Sequence, residues 1–172
     1  MLPQTLLLAL SALFTAAAAD TPQDFTGLGE IRTLYIWPDH PDLGCLTSAG
    51  QWTTNETLCG SFTTQWTSNL TFYLSATATG SCGIDGATFR CGDPDVAAGI
   101  FEIFGTPGGT GGPIPGHDIL RYGQYGIMAA DADDAPPAPQ DPPLDIHFYT
   151  GSEKGKYVFL GWKHLDDDED NQ

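Results

Sequence analysis

The side chains that could carry acid–base chemistry are spread along the chain without a local pairing. General acid–base catalysis needs two groups at one reacting atom, together with a cationic stabiliser. Two of the histidines lie in C-terminal segments that could be neighbours across a final hairpin, and we predict that they are cross-strand or solvent-facing side chains. The other two follow Pro- and Gly-rich stretches that are typical of loops. The four histidines are His40, His117, His147 and His164.

Metal and carboxylate chemistry have only weak candidates. His40 with Asp39 and Asp42 is a conceivable metal site. Glu102 lies in the apolar run Ile100–Phe104, where strand alternation predicts that it faces outward rather than acting as a glycosidase carboxylate. The sequence contains no Gly-x-Ser-x-Gly nucleophile elbow. We therefore predict no catalytic residue, no metal and no cofactor.

The four cysteines favour disulfides over metal ligands or nucleophiles. Their number is even, as expected in an oxidising compartment. Three pairings are possible, and we favour Cys45–Cys59 and Cys82–Cys91 because each pair brackets a short stretch rich in turn residues. The second pair encloses one predicted hairpin with Asp85-Gly86 at its turn. A zinc site is the weaker alternative, since thiolate ligands suit an intracellular setting better.

Two further signals predict export. Residues 1–19 combine an apolar run with a small-residue cleavage site, the pattern of a secretory signal peptide, and no later segment is long enough to span a bilayer. Two sequons predict glycosylation at Asn55 and Asn69. The expected location is extracellular, with the vacuolar lumen as the alternative.

The charge balance limits the partners. The net charge is −16, with 6 basic and 22 acidic residues, and such a surface repels phosphate backbones. We expect no autonomous nucleic-acid binding. Part of the excess lies in the acidic tail 166–172, which we interpret as a solubilising end.

The elements between these features are short and strand-like. Apolar alternation and turn residues predict about seven to nine short antiparallel strands with little helical periodicity. The expected fold class is all-β, a small disulfide-stabilised β-barrel or β-sandwich. We predict a lead-in over residues 20–42 with one edge strand, and a β domain over 43–165. Within it, segments 43–52 and 59–66 are expected to form a hairpin with the first sequon at its tip, and 97–104 to be a strand buried on both faces.

Several short motifs follow one another between residues 43 and 162. They are Gly44-Cys45-Leu46, Gly50-Gln51-Trp52, Leu58-Cys59-Gly60-Ser61-Phe62, Gly80-Ser81-Cys82-Gly83, Phe89-Arg90-Cys91-Gly92 and a late strand from Tyr157 to Trp162. Their order resembles the C-terminal domain of fungal T2-type ribonucleases, which implies the fold and a secreted or vacuolar setting. The histidine motifs on which ribonuclease activity of that family depends are not found in this sequence.

Aromatic side chains supply the candidate ligand surface. Trp52 and Trp162 match family positions and are expected in the core. Trp66, in a polar run beside the second sequon, is expected to be exposed, and with Tyr122 and Tyr125 it could present flat rings to sugars. The sequence thus predicts a secreted non-catalytic module that binds cell-wall or matrix polysaccharide. The alternatives are a diverged ribonuclease or other hydrolase, and a module that binds a secreted protein.

Overall fold

The computed structural model describes residues 25–35, 42–68, 71–104, 118–123, 128–129, 138–148 and 158–165. These residues form one curled antiparallel sheet, a half-barrel that two disulfides cross-link. This architecture confirms the all-β prediction. Several of its twelve strands are only two residues long, so the count exceeds the predicted one. The strands are β1 (Leu28–Tyr35), β2 (Asp42–Leu46), β3 (Trp52–Thr53), β4 (Ser61–Trp66), β5 (Thr71–Ala76), β6 (Gly80–Asp85), β7 (Thr88–Cys91), β8 (Ile100–Phe104), β9 (Ile119–Arg121), β10 (Met128–Ala129), β11 (His147–Phe148) and β12 (Val158–His164).

Strand β1 lies in the middle of the sheet. On one side it pairs with β12 from Gly29 to Tyr35. On the other side its first half pairs with β4 and its second half with β2. The expectation of an edge strand here is therefore wrong, because β1 pairs with other strands on both of its sides. The described fold also begins well before residue 43, inside the segment predicted as a lead-in.

Strand β5 is the second branch point. It pairs with β4 along Phe72–Ala76, while its other edge is shared between β6 and β8. Strand β4 thus lies between β1 and β5 and does not pair with β2, so the predicted hairpin of segments 43–52 and 59–66 is wrong. The partner of β2 is the short β3, and a 3₁₀ turn at Glu56–Leu58 then leads the chain across to β4.

The C-terminal strands also differ from the prediction. Strand β12 pairs with β1, whereas β11 pairs with β10 and β7. The predicted final hairpin is therefore wrong. Strand β8 buries Phe101 and Ile103 but leaves Ile100 and Phe104 exposed, so it is buried on one face rather than both.

The core is built from the alternate side chains of these strands, as period-2 alternation requires. It is rich in aromatic rings, and the largest fully buried side chains are Trp52, Phe25, Phe62, Phe72, Phe89 and Phe101. Trp162 is also buried, so both tryptophans expected in the core are there.

Phe25 anchors the start of the described chain. Its ring is fully buried, with centroids 5.6 Å from Phe72 and 5.2 Å from Trp162. Its carbonyl oxygen accepts hydrogen bonds from the Thr64 hydroxyl at 2.6 Å and the Trp66 indole at 2.9 Å. Its φ of 57° is unusual for a residue other than glycine. These contacts fix the backbone that leads into β1.

The disulfides are Cys45–Cys59 and Cys82–Cys91, the pairing that the spacing favoured. The second joins directly opposed residues of the β6–β7 hairpin, whose turn lies at Gly86. The first ties β2 to the end of the 3₁₀ turn. Among the described residues, no helix is long and apolar enough to cross a membrane.

The outer face of β1 carries a nearly buried cation. The Arg32 guanidinium, with its side chain 10% exposed, lies 2.9 Å from a Glu30 oxygen, 2.8 Å from Asp42 and 2.8 Å from Glu56. These contacts raise the pKa of Arg32 above its ordinary value, chiefly through the hydrogen bonds that it donates to Glu56. We call Arg32 and its three carboxylates the Arg32 cluster. It links β1, β2 and the 3₁₀ turn beside Cys59.

Arg32→Met tests how much the fold depends on this cluster. Removing the cation leaves three carboxylates facing one another, so we expect a loss of about 3 kcal/mol at neutral pH, the low end for a broken buried pair because Asp42 and Glu56 stay partly hydrated. The hydrogen bonds from Arg32 lower the pKa of Glu56, so this part of the stabilisation is present above its ordinary value of about 4.5 and is lost as the pH falls. The deficit of the variant should therefore shrink below about pH 5. Urea unfolding at several pH values measures it.

Arg121→Met is the matched control, because Arg121 is 31% exposed and lies 3.7 Å from Glu102. A loss below about 1 kcal/mol is expected there, as for other exposed pairs. Equal losses for the two variants would contradict the structural role of the Arg32 cluster.

Candidate binding groove

A shallow open groove crosses the surface beside the Cys82–Cys91 disulfide. Its volume is about 480 Å³, and it is lined by the turn residues Ala49 and Gln51 and by the segment 90–94 at the end of β7. The turn closes through two backbone hydrogen bonds of 2.8 Å between Thr47 and its partners Gly50 and Gln51. Cys91 then donates its amide to the Ala49 carbonyl at 3.1 Å, which docks the turn on β7. Both walls are therefore fixed by backbone bonds and a disulfide.

An ion pair fixes the groove's main polar side chain. The Arg90 guanidinium donates two hydrogen bonds to Asp145, at 2.6 and 2.8 Å. Gln51 donates a third from Nε2 to the same carboxylate at 3.0 Å. These donors, Arg90 first and Gln51 second, hold the pKa of Asp145 far below its ordinary value, while Asp145 raises the pKa of Arg90. Asp145 therefore stays ionised and serves as an acceptor rather than a general acid.

Gly50 permits the close approach of the turn to the core. Its φ is +86°, a region that L side chains rarely adopt. A Cβ there would lie 2.6 Å from a ring carbon of Phe89. A glycine at this position thus lets the groove wall rest directly on a core aromatic ring.

The aromatic surface predicted from the sequence is not formed by the residues that the structure describes. Trp66 is half-buried with its ring 4.8 Å from Phe72, and its indole N–H is bound to Phe25. Tyr122 is half-buried against Phe101 at 5.4 Å. Register places the two rings at opposite ends of a core-facing row across β4, β5, β8 and β9. The expectation of an exposed Trp66 is wrong, and Tyr125 lies outside the described residues.

Comparison with known families decides the relationship. The model for "RNase T2-like C-terminal domain" matches residues 23–111, more than half of the 172 residues. The chain belongs to the RNase T2-like C-terminal domain family. The match includes both disulfides and both walls of the groove, but not Asp145. No curated protein and no solved structure matches the chain.

The histidines of this T2-like domain are not brought together where the structure shows them. His147 is exposed on β11, with Nδ1 3.1 Å from the Thr88 hydroxyl. His164 is at the end of β12, opposite Gly29 of β1. The two strands do not pair with each other, so the idea that these histidines are neighbours across a hairpin is wrong. His40 and His117 lie outside the described residues.

One group of possible metal ligands occurs among the described residues. Ligand atoms of Glu30, Glu56 and Cys59 lie within 4.8 Å of one another. Cys59 is in a disulfide, and Arg32 already supplies a positive charge to both carboxylates. Asp42, suggested as a ligand with His40 and Asp39, also binds Arg32. His40 and Asp39 are outside the described residues.

Glu102 lies on the outer side of β8, as alternation predicts. Its carboxylate is 3.7 Å from Arg121 Nε and 32% exposed. The described neighbour of Glu102 on β9 is Arg121 and not a second carboxylate. A glycosidase pair of carboxylates would therefore need an acid from another element. The arrangement is that of a partly hydrated cross-strand ion pair.

No local sequence pattern marks Gln51, Arg90 or Asp145 as part of a binding site. Arg90 stands between the buried Phe89 and Cys91, so alternation alone would place it outward. Its partner is 55 positions away, beyond an acidic, proline-rich stretch. No local spacing connects two residues so far apart.

Asp145→Asn tests the ion pair through its pH dependence. The folded pKa of Asp145 is lowered, so its stabilisation is complete above the unfolded value near pH 4 and is lost as the pH falls towards the folded value. We expect the variant to be less stable by about 0.5–1 kcal/mol at neutral pH, since both side chains are about one-third exposed.

That difference should narrow below about pH 4, as measured by urea unfolding of both proteins at matched ionic strength. A constant difference down to about pH 2 would show that the substitution acts through something other than the carboxylate charge.

Proposed function

We propose that this chain is a secreted, non-catalytic module that binds cell-wall or matrix polysaccharide in the groove between Ala49 and Pro94. The observation that carries the proposal is the groove itself, an open depression whose walls are held by backbone hydrogen bonds and the Cys82–Cys91 disulfide. Its lining includes the polar side chains of Gln51, Arg90 and Asp93. Guanidinium, carboxamide and carboxylate groups together offer donors and acceptors that match the hydroxyls of a sugar. The proposal moves the predicted ligand surface from Trp66 to Arg90.

The shape of the groove favours a chain-like ligand. It is open and shallow, whereas sites for small molecules usually enclose most of the ligand. A polymer can lie across such an open groove and gain affinity from repeated weak contacts. The net charge of −16 disfavours polyanions, which leaves neutral or cationic polysaccharides as the candidates.

The secretory setting draws support from two observations. Both disulfides close within the described fold, and such bonds persist mainly in oxidising compartments. The family model names a domain of the T2 ribonuclease type. Residues 1–19, with their signal-peptide pattern, complete the proposal.

The hydrolase alternative has less support. Acid–base cleavage needs two titrating groups at one atom, and His147 and His164 lie on strands that are not neighbours. Asp145 is held ionised by Arg90, so it does not supply a proton near neutral pH. An RNase assay on the purified protein, with a His147→Ala, His164→Ala variant beside it, tests the alternative directly.

A protein-binding role is favoured by one specific observation. Ile100 and Phe104 are 47% and 37% exposed on the outer face of β8, and a partner protein that covered this face would remove both apolar side chains from water. Capture of a secreted protein by the wild type, and its loss in Ile100→Ser, would support this role. A protein-binding role predicts this capture whether or not the protein is retained on polysaccharide.

Retention on insoluble polysaccharides tests the main proposal. The purified protein is expected to sediment with chitin, glucan or cell-wall material. Arg90→Ala removes polar contacts at the groove, and Ala49→Trp fills the groove with a ring at an exposed position without removing either member of the Arg90–Asp145 ion pair. Each should reduce the bound fraction at least about fivefold, or about 1 kcal/mol.

Arg121→Ala is the matched control, since its side chain is 31% exposed against 30% for Arg90. It should bind as the wild type does, and near-UV circular dichroism should confirm folding of all three variants. Full retention of Ala49→Trp would remove the groove from the proposal, and RNA cleavage by the wild type would remove its non-catalytic part.

A further inference from the structure

We propose that Asn55 is an N-glycosylation site whose acceptor geometry is already built into the fold. The residue belongs to the sequon Asn55-Glu56-Thr57 and forms the N-cap of the 3₁₀ turn. Glu56 and Thr57 are exposed and Asn55 is half-buried, so the site lies at the surface. The inference rests on the secretory route of the proposed function, because the modification takes place there.

The Thr57 hydroxyl is directed at the side chain of Asn55. Thr57 Oγ1 donates to Asn55 Oδ1 at 2.7 Å, and the Thr57 backbone amide donates to the same oxygen at 3.0 Å. Both bonds draw electron density towards the amide oxygen, which makes the Nδ2 protons more acidic. Asn55 Nδ2 makes none of the hydrogen bonds that the structure describes for this turn. The nitrogen is thus left for reaction.

The turn holds this geometry through connections on both sides of Asn55. Before it, the Asn55 amide donates to the Thr53 hydroxyl at 3.1 Å. After it, Glu56 is bound to Arg32 at 2.8 Å and Cys59 to Cys45. The Arg32 cluster and the first disulfide therefore position the sequon, although neither contacts the acceptor nitrogen.

The second sequon differs from the first in the hydrogen bonds of its hydroxyl residue. Its hydroxyl residue, Thr71, lies at the start of β5. The Thr71 hydroxyl is 2.7 Å from that of Thr67 and 2.6 Å from that of Ser68, so it is already engaged by neighbouring hydroxyls. The second sequon's Asn69 lies outside the described residues. Asn69→Gln therefore serves as a variant that leaves the first sequon intact.

The reaction requires a lipid-pyrophosphate-linked oligosaccharide as the sugar donor. A bond forms between Asn55 Nδ2 and the anomeric carbon of the first sugar, and the bond from that carbon to the pyrophosphate oxygen breaks. The pyrophosphate leaves with the electron pair, and Nδ2 loses one proton. The product carries its glycan beside Leu58, an exposed apolar side chain.

The test is expression of the full chain in a eukaryotic secretory host, followed by peptide mass spectrometry after enzymatic removal of N-glycans. Enzymatic release converts a modified asparagine into aspartate, so the peptide containing Asn55 should carry that change. Asn55→Asp keeps the oxygen that caps the turn but lacks Nδ2, and it should lose one glycan. Thr57→Val should lose the same glycan, and Thr57→Ser should keep it. Asn69→Gln should leave Asn55 modified.

An unmodified Asn55 would overturn the inference. Secreted protein with residues 1–19 removed and Asn55 unmodified would refute the glycan alone and leave the proposed secretion standing. Protein retained in the cell with Asn55 unmodified would refute both. Retention of the glycan in Thr57→Val would refute the role given to the Thr57 hydroxyl, because the amide of residue 57 remains in that variant.

Discussion

The buried guanidinium of Arg32 is the interaction on which the arrangement of this small sheet most depends. A charge that is nine-tenths buried is tolerated only when carboxylates surround it, and here they come from β1, β2 and the 3₁₀ turn. Main-chain pairing holds β2 against β1, and the ion pair with Glu56 brings the 3₁₀ turn to the same place. The cation thus ties the second half of β1 to β2 and to the turn from which the chain continues to β4. The Cys45–Cys59 disulfide secures the same junction covalently.

Local features of the fold could be predicted from the sequence, because the forces behind them act over a few residues. The hairpin closed by Cys82 and Cys91 follows from an Asp85-Gly86 turn between two strand-like segments. The partners of β4 could not be obtained in this way, because pairing with β1 and β5 depends on contacts far apart in sequence. The prediction paired segment 59–66 with segment 43–52 because the two are neighbours in sequence. The ion pair between Arg32 and Glu56, beside this junction, likewise joins residues that are far apart in sequence.

The placement of Trp66 shows a different failure. Its neighbours Gln65 and Thr67 are exposed, and the polar composition of the segment suggested an exposed ring. Counting by two from the buried Phe62 puts Trp66 on the core side of β4, which is where its ring meets Phe72. Alternation was therefore the better guide than composition. The groove pair Arg90 and Asp145 lies beyond either rule, since 55 residues separate its members and only the folded chain brings them together.

The anchoring of Phe25 sets a limit on how the amino terminus of this protein can be processed or engineered. Its ring fills space between Phe72 and Trp162, and its carbonyl ties down β4 through Thr64 and Trp66. A protease that trims the chain beyond residue 24 would remove a core side chain together with the acceptor of two hydrogen bonds. Affinity tags and fusion partners attached at the amino end therefore need their cleavage site upstream of this residue. Domain boundaries for recombinant fragments follow the same rule, and a fragment starting at β1 would be cut inside its own core.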